Sequence, residues 1–214
     1  MRSTFRLFRR ALRTLATLVL LAAAALAGVL WLTLPPAHQQ AQIPWLSAPV
    51  EISVDQDGVP RIHAASESDA LAALGFVHAR DRMFQLDLMR RAASGRLSEL
   101  AGPPTLKFDE TMRTLGLRQS ALADYAGAPE DVRNLLEAYS RGVNAWIESR
   151  GRFAALEFLW FGKPEPWSAV DCLLWGKTMG LWLSSNYRTE LARLALKGRL
   201  SQEQIYQLWP AQNE

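Results

Sequence analysis

Cysteine is nearly missing from this chain of 214 residues, and the one present has no partner to work with. Cys172 alone excludes an intrachain disulfide, a cysteine-based zinc site and a dithiol redox pair. Between Asp171 and Leu173, a lone thiol reads as a small core residue. Histidine is almost as scarce. No two of His38, His63 and His78 stand four residues apart, so no helix offers two imidazoles to one metal ion. Each reads as structural. The strings GxSxG, GxGxxG, HExxH and the P-loop are missing too.

Acidic residues are missing from the N-terminus. Arg2, Arg6, Arg9, Arg10 and Arg13 precede an uncharged run from Thr14 to Leu34, which Pro35 and Pro36 end. At 1.5 Å per residue that run makes about 31 Å of helix, enough to cross a hydrocarbon core of roughly 30 Å. With no carboxylate against the arginines, the N-terminus stays cytoplasmic and the rest goes outward. A helix apolar on every face with arginines at one end suits lipid better than a soluble core. Residues 1–34 are therefore read as a signal anchor or signal peptide, and the protein as periplasmic or extracytoplasmic. Ala25-Leu26-Ala27 offers a small-x-small cleavage site, whereas the apolar run continues through Val29, Leu30, Trp31 and Leu34, which argues for an anchor retained in the inner membrane.

A strong basic excess is missing from everything that follows. The pI of about 9.3 belongs to the leader. Without its five arginines the chain has 24 − 5 = 19 Lys+Arg against 21 Asp+Glu, a net charge of −2. No basic stripe interleaved with aromatics survives, and nucleic acid is excluded as a partner. Arg90, Arg91 and Arg96 sit among Asp87 and Glu99 as a solvated helix face would. HARDR, from His78 to Arg82, has the look of a kinase catalytic loop but lacks the downstream asparagine and every other kinase element.

Residues 35–48, with three prolines and little periodicity, read as an extended linker. The domain at 49–214 opens with two β-rich runs, Glu51 to Val54 and Val59 to Ala64. Asp57-Gly58 between them supplies the positive φ of a tight turn, which predicts a hairpin. Ser66 then offers an N-cap with Asp69 three residues on, and apolar spacing at Leu71, Leu74, Val77, Phe84 and Leu88 predicts a helix to about Ala93. Helical patterns follow over Asp109 to Tyr125 and over Pro129 to Ser149. In the second, Leu135, Leu136, Tyr139, Val143 and Trp146 share a face. GKPEPW, from Gly162 to Trp167, breaks the pattern, and Ser168 caps a helix through Met179 and beyond. A last amphipathic stretch, Ser201 to Leu208, stops before Pro210. The domain is mostly α with a short N-terminal β-hairpin, and it looks like half of something.

VEISVDQDGVPRIHA, Val50 to Ala64, is followed directly by SESDALAALGFVHARDRMFQLDLMRRAASGRLSELAG, Ser66 to Gly102. Further on come Tyr139-x-x-Gly142-Val143-Asn144-Ala145-Trp146, then Glu157-Phe158 before Pro164-x-Pro166-Trp167, and a run from Asn186 to Arg193. In order and spacing these strings resemble the α-chain of the penicillin acylase family of N-terminal-nucleophile hydrolases, over residues 50 to about 210. Arg61 departs from the histidine that is frequent there. Asp81, Arg82, Arg90 and Arg91 are markers of the resemblance, and either tie the first helix to a partner surface or pack within the chain.

The resemblance implies the α-chain part of an αββα fold, preceded here by one transmembrane helix. It implies an amidohydrolase that removes acyl groups from amines. The nucleophile is a serine opening a separate β-chain, with its own α-amine as base and an oxyanion hole from β-chain groups. No catalytic residue is expected in this chain, which by itself is expected to be inactive. The β-chain comes from the same precursor or a neighbouring gene, and the substrate is an acylated amine, either a β-lactam or an acyl-homoserine lactone. By position in the resemblance, Met179, Trp182 and Leu183 line the acyl pocket. Their spacing puts them on one helical face, as a core stripe would also do. Glu190 falls where the family has its α-chain calcium ligand, the remaining ligands belonging to the β-chain, or else it is a surface glutamate paired with Arg193 or Arg188. The alternative to an enzyme subunit is a membrane-tethered, non-catalytic interaction module from a truncated or split gene.

Overall fold

In the computed structural model, which describes residues 2–36, 40–184 and 186–210, the chain is mostly helical with one two-stranded antiparallel sheet. His38 and the last four residues lie outside the described residues. The first element, α1 (Arg2–Thr33), contains a stretch from Leu12 to Thr33 that is long and apolar enough to cross a membrane, with none of it buried. Thr14 and Thr17 do not interrupt it. Their hydroxyls donate to the carbonyls of Arg10 and Arg13 at 3.0 and 2.9 Å, which satisfies them without water.

Residues 40–48 of the linker lie on the domain rather than standing clear of it. Ile43 packs against the main hydrophobic cluster, and the backbone N–H of Ser47 donates to Asp69 Oδ1 at 2.9 Å. The Ser47 hydroxyl donates to the other oxygen of the same carboxylate. Periodicity could not reveal this, because single side chains make the contacts.

The hairpin pairs β1 (Glu51–Val54) with β2 (Pro60–His63) in the register Glu51 with His63 and Val54 with Pro60. Asp55 Oδ1 accepts from the N–H groups of Asp57 and Val59, and Gly58 takes φ 79°, where a side chain would strain the turn. Next comes α2 (Glu67–Ala93), capped by Ser66, whose hydroxyl accepts from the N–H of Asp69 at 3.1 Å. The reciprocal half of a capping box does not form among these contacts, since Asp69 turns to Ser47. At Arg82 the backbone leaves helical geometry (φ −143°, ψ 29°), so α2 is kinked there.

After α3 (Ser98–Ala101), the predicted single helix over 109–125 is two helices, α4 (Leu106–Leu115) and α5 (Leu117–Gly127). Gly116 between them sits at φ 68°, a left-handed end that stops the first helix. Then follow α6 (Glu130–Arg150), α7 (Phe158–Phe161), α8 (Ala169–Leu183), α9 (Tyr187–Leu196) and α10 (Gln202–Leu208). Asp171 accepts from both the N–H and the hydroxyl of Ser168 at 2.8 Å, so the predicted cap of α8 is a capping box.

The fold is centred on α2 against α6, which approach closely because both present glycine and alanine. A Cβ on Gly142 would stand 1.8 Å from the carbonyl oxygen of Ala72, and one on Gly75 would stand 2.1 Å from that of Tyr139. Around this contact Phe76 meets Trp146 edge-on at 5.7 Å, with Met83, Val143 and Phe158 completing the core. Val170 and Leu174 of α8 form a second cluster with Ala93 and Ala121.

Candidate functional site

The neighbouring strings DLMRR and GRLSEL meet PEPW, more than 60 residues further along the sequence, in space. Asp87 is fully buried and accepts from Arg90 and Arg91, while Arg90 also donates to the carbonyls of Pro166 (2.7 Å) and Glu165 (2.9 Å) and lies over the Trp167 ring. Arg96 bridges Glu99 at 2.7 Å and Glu165 at 2.6 Å. Its hydrogen bonds hold both carboxyls below the usual glutamate range. Arg90 and Arg91 thus pack within the chain and fix the segment from Glu165 to Trp167. Asp81 pairs with Arg80 at 2.7 Å. Arg82 faces a cleft.

That cleft, of about 640 Å³, opens between α2, α6 and α8. Leu71, Leu86 and Met89 form one wall, Val132, Leu135 and Leu136 a second, and Cys172 and Trp175 a third. The apolar face predicted for α6 therefore divides. Val143 and Trp146 are fully buried in the core, whereas Leu135, Leu136 and Tyr139 are half-buried cleft wall.

Inside it, His78 Nδ1 and the Tyr139 hydroxyl share a hydrogen bond of 3.0 Å. Burial pushes the imidazole below its ordinary range, against the pull of Asp81, and raises the phenol to about 12. The two form a hydrogen-bonded polar pair in a cleft that Arg82, Arg90 and Asp171 also line. Burial also pushes up the Cys172 thiol, whose sulfur accepts from Trp167 Nε1 at 3.3 Å. A protonated, hydrogen-bonded thiol packs; it does not attack. The His78–Tyr139 pair went unread in the sequence because 61 residues separate its members.

Met179, Trp182 and Leu183 come together on the last turns of α8, beside the cleft rather than in its lining. Met179 is half-buried, Trp182 is 47% exposed and Leu183 is 78% exposed, so they are not a core stripe of this chain. Trp182 reaches the cleft through Trp175, edge-on at 5.9 Å. Glu190, on α9, is exposed and receives Arg193 at 2.9 Å. Among the described residues no cluster of three or more His, Cys, Asp or Glu side chains could hold a metal ion. Glu190 is thus a single hard-oxygen donor, and alone it does not make a calcium site.

Comparison with known proteins shows the family to which this chain belongs. The family model of penicillin amidase matches residues 49–213. Penicillin acylase 2 proenzyme of a Pseudomonas species (strain SE83) is 39% identical over 153 residues, 71% of this chain and 20% of that protein. The acyl-homoserine lactone acylase QuiP of Pseudomonas aeruginosa is 35% identical over 179 residues, 83% of this chain and 21% of that protein. A solved chain of the thermostable penicillin G acylase from Alcaligenes faecalis superposes with a TM-score of 0.63 at 27% identity, covering 78% of this chain and 93% of that one. The chain spans about a fifth of the length of these curated relatives and matches nearly the whole of one solved acylase chain. By sequence over most of its length and by fold, it belongs to the penicillin amidase family.

Proposed function

We propose that this chain is the α-chain, or N-terminal part, of a penicillin-acylase-like amidohydrolase that removes an acyl group from an amine. The observation that carries this reading is the pair of coverages: the match to this chain takes up only 20% of one relative named a proenzyme but 93% of a chain in a solved acylase, as expected if the precursor is cut into separate chains. The open cleft agrees with it, because leucines, Val132 and Trp175 left beside solvent form a face that a second chain would cover.

In this reading the second chain brings the nucleophile, a serine at its N-terminus whose α-amine takes the proton, together with the oxyanion donors. Residues 49–214 form one outer part of the assembled αββα architecture. Met179, Trp182 and Leu183 supply apolar wall to the acyl pocket, and Glu190 supplies one oxygen ligand to a structural calcium whose other ligands come from the partner. Residues 1–34 hold the enzyme on the outer face of the inner membrane through α1, with 35–48 as the join. The relatives named above point to penicillins or acyl-homoserine lactones as the substrate class. A non-catalytic tethered module has no comparable support.

The test is co-expression with a second chain beginning with Ser, Thr or Cys, assayed on phenylacetylated and long-chain acyl amines. Turnover is expected from the pair and not from this chain alone. Turnover by the purified chain that is lost on mutating one of its own residues overturns the proposal.

A further inference from the structure

The outer end of α1 is tied to one place on the domain. Arg150, the last residue of α6, donates from Nη2 to the carbonyl oxygens of Leu32 at 2.5 Å and Leu34 at 3.0 Å, with its guanidinium over the Trp146 ring. These carbonyls end the apolar helix, where its dipole is negative and its last acceptors lack partners within the helix. The domain therefore does not hang from a free tether, and the surface next to Arg150 is held at the level where α1 leaves the membrane. Trp31, 73% exposed, lies at that same level, where tryptophan is enriched in membrane helices.

What lies next to Arg150 is apolar and uncovered. Arg152, two residues on, donates to the carbonyl of Leu159 at 3.2 Å, which seats α7 beside the end of α6. From α7, Trp160 projects with 77% of its surface exposed, and Phe161, stacked on Phe84, remains 47% exposed. Between residues 148 and 163 the sequence carries Arg150, Arg152 and the exposed Lys163 against the carboxylates Glu148 and Glu157, an excess of 3 − 2 = +1. So slight an excess makes the aromatics, and not charge, the recognising element.

We propose that this face, with Trp160 and Phe161 at its centre and Arg150 as its clasp, rests in the headgroup layer of the leaflet from which α1 emerges, so that lipid is its partner. An indole with its ring in the acyl boundary and its N–H toward water is well placed there. The inference rests on the reading of α1 as a retained membrane helix.

The experiment uses the full chain, without a partner chain, in nanodiscs of phosphatidylethanolamine and phosphatidylglycerol. With Cys172→Ser as background, a nitroxide is attached through Trp160→Cys or through Glu130→Cys, the latter at the other end of α6, about 30 Å from Arg150 at 1.5 Å per residue. Collision with oxygen should dominate at position 160, and collision with an aqueous nickel chelate at position 130. Adding Arg150→Ala should return position 160 to the aqueous pattern while the helical circular dichroism is kept. Retention of the cellular chain in carbonate-washed membranes reports on α1 separately. A chain released by carbonate removes the anchor reading and this face with it. A retained chain whose position 160 is as open to the nickel chelate as position 130 overturns this inference alone, and exclusion at 160 that survives Arg150→Ala overturns the clasp.

Discussion

Asn144 closes both ends of its amide on the backbone of Trp167, Nδ2 donating to the carbonyl at 2.9 Å and Oδ1 accepting from the N–H at 2.7 Å. Together with Arg90, which holds the two preceding carbonyls, it fastens the PEPW segment across α6 and so sets where α8 starts. Asn144→Ala strands a donor and an acceptor in a partly buried place and is expected to cost about 1–3 kcal/mol. Asn144→Asp keeps the acceptor but sets a carboxylate against the Trp167 carbonyl, so it should not restore the loss. Urea midpoints of the full chain in detergent measure both. A midpoint equal to that of the parent would show that the amide is dispensable.

The glycines separate into two kinds that a stability measurement can tell apart. Gly142 and Gly75 face backbone oxygens at 1.8 and 2.1 Å from where a Cβ would be, so an alanine at either forces α2 and α6 apart. Overpacking of this sort costs about 1–3 kcal/mol or more. Gly176, within α8, has nothing within 4 Å of its would-be Cβ, and Gly176→Ala should stabilise the helix by up to about 1 kcal/mol. Melting temperatures of the three variants should fall, fall and rise.

The contact between Ser47 and Asp69 should depend on acid. The Ser47 hydroxyl, then its N–H, hold the Asp69 carboxyl below the ordinary range, against a smaller effect of burial. A folded value lower than the unfolded one means that the contact stabilises fully above about pH 4, the ordinary aspartate value, and is lost as pH falls through the folded value. Hydrogen exchange of the Ser47 amide, corrected for its intrinsic rate, should accelerate over that acid window. Asp69→Asn should accelerate it already at neutral pH. Flat exchange in the variant would mean that Ile43 alone seats the segment.

Local signals in the sequence located the hairpin, the caps at Ser66 and Ser168 and the long helices, because a turn, an N-cap or a 3.6-residue period is determined by neighbours. Tertiary contacts decided the rest. Gly116 lay inside an unbroken apolar pattern, and only its left-handed geometry divides α4 from α5. The face of α6 was correctly drawn as one stripe, yet half of it lines a cleft, since a stripe does not say what covers it. Trp182 and Leu183 show the same limit at the candidate site. Their spacing fitted core and pocket equally, and only their exposure separates them from the core of this chain. Pairs such as Arg90 with Pro166, 76 residues apart, leave no local trace, although the family strings that contain them do.

Glu190 and Trp182 lie near each other in sequence but are proposed to act differently in the assembled enzyme, so their variants should fail differently. Glu190 is exposed and engaged by Arg193 alone among the described contacts, which leaves its carboxylate free to serve a cation if a partner brings further oxygens. A cation that binds only the folded assembly stabilises it by mass action, so Glu190→Ala should lower calcium content and the melting temperature of the complex. Turnover by molecules that do mature should change little, because this residue is not proposed to touch substrate. Trp182→Ala removes a large ring next to Trp175 and should shift the preferred acyl length while leaving calcium content alone. Elemental analysis and a series of acyl amines of increasing length, both after co-expression with the catalytic chain, separate the two. Normal calcium in the Glu190 variant would return that side chain to a surface ion pair with Arg193, a contact between exposed groups that contributes little to stability.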